Sequence, residues 1–182
     1  YVIPELEETY SMTQNEYHFG TVWEHTMMVL EGTKDDNMIL RISALLHDIG
    51  KIRVCTEEDG KIHFLKHELK SGEMIDELLR PLKFSNEIIK EVTFLVRNHM
   101  ICKTWGSECE YMKDKKLRRL QYECKTEERF RNLMTIIDAD NNAYAADKCM
   151  PKQVEFILSR TEAMKAEGSA MFGHKLPLTG KE

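Results

Sequence analysis

Seven residues, Leu45-Leu46-His47-Asp48-Ile49-Gly50-Lys51, constrain this chain more than any other stretch. From Ile39 to Ile49 nearly every residue is apolar, which predicts a helix buried on most of its circumference. An adjacent imidazole and carboxylate inside such a helix are costly, and an isolated buried charge would be prohibitive. The fold must therefore bring a compensator to His47 and Asp48, and a bound cation is the obvious one. The rest of the chain has to supply its coordination shell.

The length of 182 residues fits one domain with a substantial core, and 42% hydrophobic with 31% charged residues is ordinary for a globular protein. A net charge of −5 argues against a surface that coats nucleic acid, while leaving room for a local basic patch. No apolar run approaches the roughly 20 residues of a membrane span, and the N-terminus has no signal pattern. The five cysteines, Cys55, Cys102, Cys109, Cys124 and Cys149, contain no C-x-x-C pair and read as reduced thiols, so a cytoplasmic location is expected. The methionines read as core filler. The start at Tyr1 and the closing Leu176-Pro177-Leu178-Thr179-Gly180-Lys181-Glu182 suggest a piece of a longer protein. Residues 1–168 are expected to form the domain and 169–182 a tail that opens a further segment.

The periodicity predicts an all-α fold with one small β-hairpin. Thr21 to Glu31 reads as a helix ended by Gly32, and Asp36 or Asn37 caps the next, which runs to about Asp48. Ile52–Cys55 and Lys61–Phe64 read as strands around an Asp59-Gly60 turn. Helical spacing resumes near Lys66 and stops at Pro81; Ser85 or Asn86 caps a helix through His99. Residues 101–112 read as a loop and Lys113–Cys124 as a short helix. Thr126 caps a helix to about Ala146, and Pro151 opens a last one that ends near Gly168.

On these helices the histidines fall in telling places. His25 shares a face with Val22, Thr26 and Val29, and His99 ends the stripe Ile88, Val92, Leu95. His67 opens the helix that follows the hairpin. A closing carboxylate must come from Asp138-Ala139-Asp140. Phe130, Leu133, Ile137, Asp140 and Tyr144 share one face, and Asp138 lies about 160° round from Asp140. Asp140 should therefore point inwards. The expected shell is His25, His47, Asp48 and Asp140 around one metal, with His67 and His99 available for a second. Imidazole mixed with carboxylate suits one or two of Mn, Fe, Co, Ni, Zn or, less happily, Mg. Side chains of adjacent His47 and Asp48 diverge by about 100°, so Asp48 would serve best as a bridge between two metals. Such a centre acidifies water and polarises a phosphoryl oxygen, the requirements of phosphoester hydrolysis. Lys51 is read either as a point charge for the substrate phosphate or as a solvated lysine.

His25, then His47-Asp48 within His-Asp-Ile-Gly-Lys, then a distant Asp resembles the HD superfamily of metal-dependent phosphohydrolases. That resemblance implies metal roles for His25, His47, Asp48 and Asp140, and likens His67 and His99 to the extra histidines of two-metal members. A narrower resemblance rests on Pro4-Glu5-Leu6, Thr21 to Thr26, Phe64 to Gly72, Leu95 to Met100, Leu117-Arg118-Arg119, Asp138 to Asn141, and Leu176 to Lys181. These strings are similar to the HD region of bacterial tRNA nucleotidyltransferases and poly(A) polymerases. In those enzymes a nucleotidyltransferase head precedes this region. No segment of the 182 residues resembles it, so nucleotide addition is not carried over. Tyr144 departs from the family, where a histidine often follows the Asp, and the hairpin from Arg53 to Ile62 reads as variable.

Five positive charges, Lys113, Lys115, Lys116, Arg118 and Arg119, surround Asp114. They read as a solvated face or as a contact for tRNA phosphates, with Arg118 and Arg119 as substrate-binding candidates. Trp23 and Trp105 read as anchors, and His18, His63 and His174 as partly exposed or tail residues. The expected function is hydrolysis of a nucleotide, cyclic nucleotide or RNA end by a metal-activated water, with His47, Asp48 and Lys51 catalytic. The alternative is a non-catalytic RNA-handling module.

Overall fold

The computed structural model of the protein describes residues 2–33, 36–103, 112–145, 152–169 and 172–173. The readings of Trp105, Cys109, Cys149, Pro151, His174 and the 176–182 segment lie outside the described residues. The helices are α1 (Glu5–Thr9), α2 (Val22–Gly32), α3 (Met38–Leu46), α4 (Lys51–Val54), α5 (His67–Leu79), α6 (Asn86–Asn98), α7 (Asp114–Cys124), α8 (Glu127–Asn142) and α9 (Lys152–Ala166). One antiparallel hairpin joins β1 (Thr56–Glu58) to β2 (Lys61–His63). The fold is all-α with a small sheet, as the periodicity predicts.

Among the described residues, side-chain caps start four of these helices. Thr21 and Glu24 form a reciprocal capping box at α2, with Thr21 N–H donating to Glu24 Oε2 at 2.7 Å. Asn37 caps α3, Ser85 caps α6 and Thr126 caps α8, each accepting from backbone N–H groups of the first turn. At the hairpin Asp59 and Gly60 both have positive φ, 51° and 71°, as a two-residue type I′ turn requires.

Two sequence readings are corrected. Ile52 to Val54 belong to α4, a single helical turn, and the first strand begins only at Thr56. The β-branched residues suggest a strand, but Ile52 packs onto the apolar core. The helical turn also sets Lys51 one turn from Asp48. Secondly, α3 stops at Leu46, so His47 to Gly50 lie in tight turns rather than in the helix body. The short α1 has no side-chain cap to mark it in the sequence.

Helix α3 packs against α2, α6 and α8, and α5 lies along α6. One apolar cluster joins Val29, Leu40, Ala44, Leu95, Leu133 and Ile137. A second joins Leu46, Ile49, Ile75, Leu79, Val92 and Val96. Each Val, Leu or Ile among them contributes about 1.5–3 kcal/mol through burial. Both clusters draw on α6 and on the segment that runs from α3 through Ile49, and His47 and Asp48 lie within that segment. Phe172, past residue 168, packs its ring on Phe130 with centroids 5.5 Å apart.

Candidate metal centre

Five elements deliver polar groups to one buried point. His25 comes from the first turn of α2, His47 and Asp48 from the turn after α3, and His67 from the first position of α5. His99 caps the end of α6, and Asp140 lies in the last turns of α8. All six are buried, and His25 and His47 are wholly inaccessible. Gly50 makes the approach of α5 to this turn feasible. A Cβ there would meet Ser71 N at 2.4 Å and His67 O at 2.6 Å, whereas the Gly50 N–H donates to Ser71 Oγ at 2.8 Å.

The hydrogen bonds fix the imidazole tautomers. Nδ1–H of His47 donates to Ala44 O (2.8 Å), that of His67 to Phe64 O (2.9 Å) and that of His99 to Val96 O (2.7 Å). His25 Nδ1–H donates to Ala143 O at 3.2 Å. With the proton on Nδ1, each Nε2 turns a lone pair towards the centre.

There the lone pairs face one another. His25 and His47 Nε2 are 3.3 Å apart, and so are His67 and His99 Nε2. His25 Nε2 lies 3.1 Å from Asp140 Oδ1. Asp48 divides its two oxygens: Oδ2 faces His47 (3.3 Å) and His25 (3.5 Å), while Oδ1 faces His67 (3.1 Å) and His99 (3.7 Å). Asp48 Oδ1 is buried without a hydrogen-bond donor. Acceptors facing acceptors in a buried site favour a cation between them. The donor set fits a divalent metal of the nitrogen-and-oxygen class. Two clusters, His25–His47–Asp140 and His47–Asp48–His99, have ligand atoms within 4.8 Å of one another.

The surroundings tune these groups. Burial would raise the Asp48 carboxyl, but the charges of His47 and Lys51 outweigh it and hold the group well below the usual range. Lys103 does the same for Asp140. Burial lowers His25, and it pushes His99 down to about 3 with help from His47 and His67. His47 runs the other way, since the neighbouring Asp48 overrides burial and raises it.

Three participants escaped the sequence reading. His18, expected to be partly exposed, sits edge-on to His25 with centroids 4.9 Å apart; its Nδ1–H donates to Asn15 Oδ1 at 2.8 Å. Burial and then Lys51 push it down to about 2. Together with His25 and Asp48 it forms a third cluster of metal-ligating atoms. Gln14 Oε1 accepts from Lys51 Nζ at 2.7 Å. Lys103 Nζ lies 2.7 Å from Asp140 Oδ2 with its side chain 1% exposed. His18 and Gln14 lie on an aperiodic loop, and Lys103 follows the end of α6, so no spacing marks them.

Lys51 is no solvated lysine. It is 1% exposed, and Nζ pairs with Asp48 Oδ2 at 2.6 Å. It lines a cleft of about 340 Å³ together with His18, His67 and Tyr144, between walls that include Tyr17, Phe64 and Leu65. Arg118 and Arg119 are not brought to this cleft. Arg119 Nε pairs with Glu123 at 2.8 Å on α7, and Arg118 lies 3.9 Å from Asp114 on the same helix. Asp138 is likewise outside the cluster and beside a separate hollow with Arg131 and Leu158.

This fold and this centre define a helical domain built around a histidine–aspartate metal site. A family model described as HD domain matches residues 15–142, and the chain belongs to that family. HD domains bind divalent metals, in keeping with the clusters above. The chain is 31% identical over 105 residues to the A-adding tRNA nucleotidyltransferase of Deinococcus radiodurans, covering 54% of this chain and 24% of that protein. It is 33% identical over 104 residues to the CC-adding tRNA nucleotidyltransferase of Thermus thermophilus, with the same coverage. A multifunctional CCA protein of Paraburkholderia phymatum is 31% identical over 102 residues, again 54% and 24%. The matches thus span about a quarter of these relatives. Among the described residues, no helix is long and apolar enough to cross a membrane.

Proposed function

We propose that the chain is a metal-dependent phosphohydrolase acting on a nucleotide, a cyclic nucleotide or an RNA end. The observation that carries this reading is the convergence of imidazole lone pairs and two carboxylates on a buried point beside an open cleft. His25, His47, Asp48 and Asp140 would hold one metal, and His67 and His99 with the other oxygen of Asp48 a second. A bound metal supplies Lewis-acid polarisation of a phosphoryl oxygen and acidifies water. The Nδ1–carbonyl bonds orient the imidazoles and turn Nε2 to the centre. Lys51 lies between the centre and the cleft, so its ammonium can hold the substrate phosphate. The cleft volume suits a nucleotide-sized ligand.

The names of the relatives favour RNA or a nucleotide as substrate, and they also support a second reading, a non-catalytic module that handles RNA. One experiment separates the two. Purified chain with Mn²⁺ or Ni²⁺ is assayed against bis(p-nitrophenyl) phosphate, cyclic nucleotides and short RNA. Hydrolysis is expected, and the double substitution His47→Ala, Asp48→Ala abolishes it. A folded, metal-loaded sample inert towards the whole panel would sink the hydrolase and leave the RNA module.

A further inference from the structure

The two carboxylates of the centre are each matched by a lysine, and the two lysines are placed differently. Lys51 Nζ meets Asp48 Oδ2 and Gln14 Oε1, and its side chain lines the cleft. Lys103 Nζ meets Asp140 Oδ2 at 2.7 Å and lies over the face of the Tyr144 ring, 3.7 Å from its centroid. It is absent from the cleft lining. Lys51 can turn to a substrate phosphate; Lys103 is enclosed between Asp140 and an aromatic face.

We propose that Lys103 is an internal cation that competes with the metal for Asp140, so that metal enters the His25–His47–Asp140 cluster only as the Lys103 ammonium withdraws. The inference rests on the metal-binding half of the proposed function. Its physical basis is charge balance. The carboxylates of Asp48 and Asp140 are matched one for one by the ammonium groups of Lys51 and Lys103. A divalent ion added to that arrangement leaves a buried double positive charge, which a site of low dielectric strongly disfavours. Withdrawal of Lys103 removes half of the excess and frees Asp140 Oδ2. Anionic substrate at Lys51 can offset the remainder. Lys103 on this view sets metal affinity rather than touching the reacting atoms.

The test is calorimetric titration of Mn²⁺ into metal-free full chain, comparing wild type with Lys103→Met, Lys103→Arg and His25→Ala. Removal of one unit charge next to the ion should tighten Mn²⁺ binding about tenfold or more in Lys103→Met. Lys103→Arg, which keeps the charge, should stay near wild type, and His25→Ala should bind weakly. If Lys103 merely positions Asp140, Lys103→Met binds no better or more weakly, and the proposal is overturned. Lys103→Gln repeats the comparison if the Met variant fails to fold by circular dichroism. Wild type that binds while His25→Ala does not, with Lys103→Met no tighter, overturns the lysine alone. No binding in any folded variant overturns the metal reading and the lysine together.

Discussion

On the outer face where α7, α8 and α9 meet, Arg160 donates to both carboxylate oxygens of Asp114 (2.9 and 2.7 Å) and to Glu167 (2.8 Å). Lys165 donates to Glu127 (2.9 Å) and Glu162 (3.0 Å). Donors there meet acceptors, and most of the side chains are partly exposed. At the centre between α2, α3, α5, α6 and α8 lysines match one oxygen each of Asp48 and Asp140, but the matching is incomplete. His25 Nε2 faces His47 Nε2, and Asp48 Oδ1 faces two further imidazoles. Both regions are rich in charge, so the amount of charge does not separate them. The separating property is whether the groups satisfy one another. A self-satisfied face holds a surface together weakly; an unsatisfied interior has been kept for something that binds.

The largest effect that distinguishes the two regions is stabilisation by metal. At a free Mn²⁺ concentration 100 times its dissociation constant, binding to the native state alone adds about 2.7 kcal/mol. For a chain of this size that raises the melting temperature by about 5–10 °C. Asp140→Asn keeps the shape of the side chain and removes its charge, so the Mn²⁺-dependent rise should largely vanish. Substitutions on the α7–α9 face should leave the rise intact. Differential scanning calorimetry with and without EDTA reads both. An undiminished rise in Asp140→Asn would mean that the metal sits elsewhere.

How much of this is legible in the sequence follows a physical line. Periodicity chose Asp140 over Asp138, and Asp140 lies in the cluster while Asp138 lies outside it, because α8 is long and regular enough for its face to be read. His25, His67 and His99 were legible for the same reason, each on or at the end of a helix. Lys103, His18 and Gln14 were not, since loops have no period. The burial of Lys51 was unreadable too: it depends on α4 being a helical turn, which Ile52 and Val54 disguise as a strand. Arg118 and Arg119 drew attention through charge density, and charge density is what the α7–α9 face shows to be uninformative.

A smaller effect is acid sensitivity of the metal-free protein. His99 is held down to about 3 and His18 to about 2, against an ordinary value of 6.5, and His25 is also lowered. Below pH 6.5 the unfolded chain therefore binds protons that the native one refuses, and native stability falls. Each such histidine makes the native state lose stability as the pH falls through this range. His47, raised in the fold, contributes stability that is fully present below 6.5 and is lost as pH rises through its folded value, so it adds no slope in this window. Asp48, Asp140 and the face residues Asp114 and Glu127 are all lowered, and their contributions persist until the pH falls below the ordinary carboxylate range. Between pH 6.5 and 5 the lowered groups being titrated are the histidines of the centre. Urea unfolding in EDTA should show a steady loss of stability across that interval. A flat profile would mean that the imidazoles are already compensated without metal.

The smallest effects belong to the face itself. Arg160→Ala deprives Asp114 and Glu167 of their shared partner, yet both carboxylates remain open to water and lose little by being hydrated instead. The melting temperature should fall by no more than about 2–4 °C. Arg119→Ala breaks a single pair within one helix turn, the Arg119–Glu123 contact, and should move it less still. Neither variant should change Mn²⁺ binding or hydrolysis of a small phosphodiester, because neither side chain reaches the cleft. Retained hydrolysis of bis(p-nitrophenyl) phosphate with a specific loss towards short RNA in Arg119→Ala would give α7 a role in substrate capture. The basic helix would then belong with the functional region, and matched donors would no longer mark a face as merely structural.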